Sequence, residues 1–190
     1  YPLVVTAVAQ VVFADQANGS IRTVGGKAVG SALVTQPFTD PKYFWPRPSS
    51  AGYDATAGSG SNLGPTNPAL VDAVRERIRS LQKADPGNSA PIPIDLLTNS
   101  GSGLDPDISE QAAVYQSRRV AAARGESVES VRKVIAAETE FRSAGVFGDP
   151  VVNVLLLNLA LDHPDRLIVP PANSTSLTSY RWRGFLPENR

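Results

Sequence analysis

Residues 151–161 read Val-Val-Asn-Val-Leu-Leu-Leu-Asn-Leu-Ala-Leu, an apolar run broken only by Asn153 and Asn158. A helix that is apolar almost all round has to be enclosed on every side. The segment therefore predicts the central core helix, opened by Asp149-Pro150 as its cap. The two asparagines, once buried, must find hydrogen bonds in the interior. A chain of 190 residues suffices for one ordinary domain with a single core, so the rest of the sequence is read as what wraps this helix.

Three more helices can be placed. Asn67-Pro68 is a strong start, with Asn as N-cap and Pro at the first helical position. Leu70, Val71, Val74, Ile78 and Leu81 then share one face. Arg75, Glu76, Arg77 and Arg79 fall mostly on the other, which reads as a solvated face or as a contact for an acidic partner. This helix stops before Asp85-Pro-Gly87. The next is opened by Asp105-Pro106 or Ser109 and closed near Arg124, with Gly125 as the stop; Ile108, Ala112, Ala113, Tyr115, Val120 and Ala121 are its core positions. Ser127 caps a further helix with Val131, Val134, Ile135 and Phe141 facing inward.

Between the first two of these helices lies the stretch with the most distinctive chemistry. Pro91-Ile-Pro-Ile-Asp-Leu-Leu97 reads as a short edge strand. It feeds Thr98-Asn-Ser-Gly-Ser-Gly-Leu-Asp-Pro106, which runs into a helix. Backbone N–H groups of Ser100, Gly101, Ser102 and Gly103, followed by a helix N-terminus and Asp105, form either an anion cradle for a nucleotide phosphate or a tight structural turn. No lysine or arginine lies within the loop, which favours the turn. Asp105 and Asp107 are too few for a calcium loop, and a cap or first-turn role near the helix dipole is the better account.

Toward the N-terminus, Ile21–Val24 and Lys27–Val34 flank Gly25-Gly26 and read as a β-hairpin. Gln36–Pro48 concentrates Phe38, Tyr43, Phe44 and Trp45 among four prolines, so a continuous helix is forbidden there. The cluster is a binding platform or, more in keeping with its surroundings, a lid over the core. Residues 49–68 form a long loop with Gly58, Gly60 and Gly64, but without the Gly-Lys-Ser/Thr ending of a phosphate-binding loop.

Composition removes most catalytic classes. Cysteine is absent, which excludes disulfides and thiolate chemistry, and the single histidine, His163, leaves no multi-histidine metal site. Ser102 lacks the Gly-x-Ser-x-Gly spacing of a hydrolase elbow. Lys+Arg and Asp+Glu both number 18, a balance that argues against a dedicated nucleic-acid surface. No catalytic residue and no metal site are expected.

The two ends stand apart. Residues 1–13 carry no charged side chain and are too short to span a bilayer, which takes roughly 20 apolar residues. They read as an exposed strand, an amphipathic helix, or the outer end of a truncated transmembrane helix; the last is preferred because the chain does not begin with Met. Residues 163–190, rich in Pro, Ser and Thr, read as a tail, either non-native or disordered.

Taken in order, several blocks resemble the C subunit of Kdp-type potassium-transporting P-type ATPases, the KdpC family. They are Tyr1-Pro-Leu with Thr6, Gln16-Ala-Asn-Gly-Ser20, Gly30-Ser31 with Phe38-Thr-Asp-Pro and Tyr43-Phe44, and Arg47-Pro-Ser49. They continue with Gly60-Ser-Asn-Leu-Gly-Pro-Thr-Asn-Pro68, Asp95-Leu-Leu-Thr with Ser100-Gly-Ser-Gly-Leu-Asp-Pro106, Gln116 with Arg119-Val-Ala and Ala123-Arg-Gly125, and Val152–Leu161. Together they cover nearly all of residues 1–162. Where the family commonly has His after the Asp-Pro of the Ser/Gly loop, this chain has Asp107.

The resemblance implies an α+β fold: a small β-sheet and hairpins plus about four helices in one soluble, outward-facing domain over residues 14–162, anchored by a single membrane span ending in residues 1–13. It implies a bacterial inner-membrane location. The implied partners are a channel-like potassium-translocating subunit, an ATP-hydrolysing P-type subunit and a very small fourth membrane subunit. The implied role is accessory and non-catalytic: aiding assembly, raising the ATP affinity of the pump subunit as a catalytic chaperone, or controlling outer potassium entry. ATP and potassium are handled by the complex, and the chain has no cofactor of its own. The competing reading, from the residues alone, is a stand-alone nucleotide-binding or hydrolytic domain using the Ser100–Asp105 loop.

Overall fold

A computed structural model describes residues 1–141 and 148–163. Beyond His163, the tail read from the sequence lies outside the described residues. The elements in order are α1 (Pro2–Val12), α2 (Ala14–Ala17), β1 (Ile21–Val24), β2 (Lys27–Ser31), α3 (Pro68–Ala84), β3 (Asp107–Ser109), α4 (Glu110–Arg124), α5 (Val128–Glu138), β4 (Thr139–Glu140), β5 (Val151–Asn153) and α6 (Val154–Asp162). The α+β expectation holds: helices pack with two small antiparallel sheets.

The first sheet is the hairpin β1–β2. Gly25 and Gly26 both take positive φ, +58° and +80°, the backbone that a two-residue hairpin turn demands. The second is three-stranded in the order β3-β5-β4. Ile108 faces Val152, and Thr139 also faces Val152, so these three share one side of the sheet and all are buried. Asp107, Asn153, Val151 and Glu140 share the opposite side, as the two-residue period of a strand requires.

Local signals gave the starts of α3, α4 and α5 and the ends of α3 and α4. The Asn67 side chain accepts from the Ala69 N–H at 3.0 Å, with Pro68 at the first helical position. Ser109 caps α4 through the Ala112 N–H at 3.0 Å, Gly125 closes it at φ +68°, and Ser127 caps α5 through the Ser130 N–H at 3.0 Å. The predicted inward residues of α4 are all buried, and Val131 and Ile135 of α5 with them.

Five expectations are corrected. Pro91–Leu97 is not a strand: Ile94–Leu96 form a single 3₁₀ turn. Pro91 and Pro93 have no N–H to give a ladder, while Pro93 presets φ at −60° and accepts from the Leu96 N–H. The Ser/Gly loop does not enter a helix directly, because β3 intervenes and Ser109 rather than Asp105 is the cap. The core helix begins at Val154 with Asn153 as its cap, not at Asp149-Pro150; residues 151–153 pair between β3 and β4 instead. Phe141 is exposed. Arg77 leaves the solvated face of α3 and turns inward, as described below.

The apolar run expected at the centre is there. Val154, Leu155, Leu157, Leu159 and Leu161 of α6 are buried, and Val154, Leu157 and Leu161 join a core shared with α4, α5, β3 and β5. Phe44, from the aromatic and proline segment, is fully buried in the same core, with Phe38 and Trp45 packed against it. That segment is the predicted lid. It has no regular secondary structure of its own, and helix side chains replace a partner strand. Asn158 of α6 pairs with both backbone groups of Phe44, and Gln116 of α4 pairs with both backbone groups of Trp45.

Candidate functional site

The Ser/Gly loop and the long 49–68 loop, far apart in sequence, lie against each other. A Cβ built on Gly60 would stand 2.7 Å from the Gly101 carbonyl oxygen, and one on Gly103 would stand 2.6 Å from the Ser59 carbonyl oxygen. Backbone approaches this close leave no room for a side chain at either position unless the facing loop shifts. Gly103 also holds φ at +70°. Tyr53 and Asn62, in the longer loop, hold positive φ without being glycine, at +65° and +52°. Strain of this kind persists only where surrounding contacts over-determine the backbone.

Those contacts are specific. The Ser49 hydroxyl donates to the Gly103 carbonyl at 2.6 Å and accepts from the N–H groups of Ala51 and Tyr53. The Tyr53 hydroxyl donates to the Arg47 carbonyl at 3.2 Å, and the Ser50 hydroxyl to the Ser59 carbonyl at 2.5 Å. Two arginines complete the frame. Arg47 donates to Asp105 Oδ2 at 3.0 Å and to the Asn99 carbonyl. Arg77 donates to the Leu97 carbonyl at 2.6 Å and to the Asn99 side-chain oxygen. The loop lacks basic residues of its own, yet tertiary folding supplies two to its rim. Sequence reasoning missed them because both come from other segments.

Each predicted site residue can now be placed. Ser100 is buried; its N–H donates to the Pro48 carbonyl and its carbonyl accepts from the Gly103 N–H. Gly101 and Ser102 are exposed, and the Ser102 hydroxyl accepts from the Leu104 N–H. Gly103 is buried between the loops. Asp105 turns its second oxygen to the Asp107 N–H at 3.1 Å while pairing with Arg47. Two of the four cradle amides, those of Ser100 and Gly103, are therefore spent on the fold, and the arginines already donate to backbone carbonyls, to Asp105 and to the Asn99 side chain. The α4 N-terminus is separated from the loop by β3 and satisfied by Ser109.

Asp107 stands just beyond the loop. Burial pushes its carboxyl up to about 6, and the neighbouring charges of Asp105 and Glu140 add to the rise; the hydrogen bond from Asn153 opposes it. Among the described residues, no cluster of three or more His, Cys, Asp or Glu has metal-site geometry.

Two other surfaces bear on function. A shallow depression of about 190 Å³ is lined by Val29, Phe38, Tyr43, Leu155, Leu159 and Asp162, among others. Small-molecule sites run to roughly 300–1,000 Å³. The second is α1, none of whose residues is buried: Leu3 is 85% exposed and Val11 81%, with Val4, Val5 and Val8 exposed as well. No helix among the described residues is long and apolar enough to cross a membrane.

Comparison with known proteins places these features. The profile of the family described as "KdpC: K+-transporting ATPase, c chain" matches residues 1–163. A potassium-transporting ATPase KdpC subunit of Polynucleobacter asymbioticus is 58% identical over 165 residues, covering 85% of this chain and 87% of that relative. The correspondingly named subunits of Sorangium cellulosum and Methylococcus capsulatus are 56% and 54% identical over the same shares.

Proposed function

The chain belongs to the KdpC family, the c chains of K+-transporting ATPases, and on that premise we propose that it is an accessory, non-catalytic subunit of a membrane complex that imports potassium at the expense of ATP. Its partners in this reading are the channel-like translocating subunit, the P-type ATP-hydrolysing subunit and a very small fourth membrane subunit. The folded domain sits on the outer face of a bacterial inner membrane. It assists assembly, and it either raises the ATP affinity of the pump subunit at long range or controls potassium entry from outside.

The observation that carries the reading is α1. Its eleven residues contain no charged side chain, and none is buried by the rest of the chain. At 1.5 Å per residue such a helix is about 17 Å long, roughly half of a hydrocarbon core near 30 Å. An uncharged helix that leaves Leu3, Val4, Val5, Val8 and Val11 exposed is favourable only where lipid or partner helices enclose it. Residues 1–13 accordingly form the outer end of a membrane-spanning helix, the segment through which the subunit joins the complex. Co-purification of the complex from membranes, with and without residues 1–13, tests this. Loss of the complex on deletion is expected, and an unaffected complex would refute the anchor.

The paired loops serve in this reading as a rigid partner-facing surface rather than as a nucleotide site. Supporting it, the Ser100 and Gly103 amides and both rim arginines already have protein partners. Titration of the full chain with millimolar ATP is expected to leave the Gly101 and Ser102 amide resonances unmoved. Saturable shifts at those two residues would favour direct nucleotide binding instead.

A further inference from the structure

Asn153 is a three-way junction. Its side-chain oxygen caps α6 through the Leu156 N–H at 3.2 Å. Its side-chain nitrogen donates to the Ala32 carbonyl at 2.9 Å and to Asp107 Oδ1 at 3.0 Å. Ala32 follows β2 and donates its own N–H to the Ser20 carbonyl at 3.0 Å, and the Ser31 hydroxyl donates to the Gly19 carbonyl at 2.6 Å. Asn18, one residue earlier, donates to the Gln10 side chain on α1 at 3.1 Å. One amide thus joins the core helix, the three-stranded sheet and the hairpin end that adjoins α1.

The third member, Asp107, has an unusual setting for a carboxylate. Asp105 lies two residues away, and Glu140 lies on the same side of the sheet. The nearby guanidinium of Arg47 is bonded to Asp105 and to the Asn99 carbonyl. From the 3₁₀ turn, Asp95 occupies the Ser109 N–H at the other end of β3. β5, residues 31–33 at the hairpin end and the first turn of α6 contain no titratable side chain, and Arg22, opposite Gly30 in the hairpin, is ion-paired with Asp15. No ion pair involves Asp107 among the described residues, so its direct donor is the Asn153 amide.

We propose that Asp107 is a proton-operated latch: the proton it takes up sets how firmly Asn153 holds the hairpin, and with it the base of α1, against the core. Ionised, Asp107 draws the Asn153 amide through a charge-assisted bond and repels Asp105 and Glu140. Neutral, it releases both effects, and the Ala32 carbonyl becomes the stronger acceptor. The hairpin is held tightest in the protonated state. Because the carboxyl titrates near 6, the latch works over mildly acidic to neutral pH.

The test uses the full chain in detergent micelles, observed by NMR between pH 4.5 and 8. The Asp107 side-chain carbon and the Asn153 side-chain amide are expected to shift with one common midpoint near 6. The Ala32 amide, corrected for intrinsic exchange, should be better protected below that midpoint than above it. Asp107→Asn, which mimics the neutral acid, should abolish the Asn153 shift and hold Ala32 at the low-pH protection throughout. An Asn153 amide that does not move through the wild-type Asp107 titration would overturn the proposal, whether or not the variant folds. So would Ala32 protection that is equal above and below the midpoint. The latch does not depend on the proposed subunit role, and neither readout uses transport.

Discussion

Asn158 holds Phe44 by both of its backbone groups: the Phe44 N–H donates to the Asn158 side-chain oxygen at 2.8 Å, and the Asn158 amide donates to the Phe44 carbonyl at 3.1 Å. Both residues are buried. A primary amide side chain presents a donor and an acceptor side by side, as a strand backbone does. It can therefore carry an irregular segment into an apolar core without leaving peptide groups unpaired. Replacing Asn158 with Leu keeps similar volume but orphans one buried N–H and one buried carbonyl. A loss of roughly 3 kcal/mol is expected, to be measured by urea unfolding. A loss below about 1 kcal/mol would show that the Phe44 segment is held by apolar packing alone.

Arg119 works on the same segment. It is nearly buried, donates to the carbonyls of Pro41 at 2.6 Å and Tyr43 at 3.0 Å and to the Gln116 side chain at 2.8 Å, and stacks 3.9 Å over the Trp45 ring. Burial lowers its guanidinium to about 10, so it stays charged at neutral pH. An ammonium cannot reach three acceptors and stack at once. Arg119→Lys should cost roughly 2 kcal/mol and alter the near-ultraviolet circular dichroism of Trp45. An unchanged unfolding midpoint would mean that the segment does not need the guanidinium.

The two glycines of the Ser/Gly loop should behave differently. Gly103→Ala meets the Ser59 carbonyl and a φ of +70°, and should cost roughly 2 kcal/mol or more. Gly101→Ala points a methyl into open space and should change stability by less than about 0.5 kcal/mol. Thermal unfolding of the two single variants, side by side, checks this. If Gly101→Ala is folded and stable yet fails to assemble with the complex, the exposed part of the loop is a contact surface.

Asp107 gives a pH dependence with a definite sign. Its carboxyl is raised in the folded chain to about 6, against 3.8 as the unperturbed value. The folded state therefore holds the proton more tightly than the unfolded one. The favourable contribution is full below pH 3.8 and is lost as pH rises through about 6. Asp107→Asn should accordingly melt above the parent at pH 7.5, with the difference shrinking toward pH 4. A constant difference across that range would show that Asp107 titrates as an ordinary carboxylate.

Much of this was legible in the residues because the physics is local. A cap involves groups two or three positions apart, so Asn67, Ser109 and Ser127 announced their helices, as did Gly125 its helix end and Gly25-Gly26 the hairpin. The apolar run at Val154–Leu161 announced the core, because no other environment accepts it. The start of α6 was misread for the same reason that made it visible. Val151 and Val152 are as apolar as the helix they precede, and only pairing with β3 and β4 makes them a strand. The edge strand expected at Pro91–Leu97 failed because its prolines could not supply a ladder.

The candidate site was half legible. Gly and Ser at 100–103 marked an unusual backbone, but its meaning lay in groups brought from elsewhere. Arg47 reaches Asp105 across 58 positions, and the amide clamps reach Trp45 across 71 and Phe44 across 114. No pattern of spacing encodes such pairs, because any Arg or Gln of similar reach would look the same in the sequence. By itself the sequence determined where α3, α4, α5 and the body of α6 run, that the Val154–Leu161 run is buried, and that cysteine chemistry is excluded. Only the tertiary structure decided which polar side chains would satisfy the buried irregular backbone. That choice depends on distances between segments that are set when the core closes around α6.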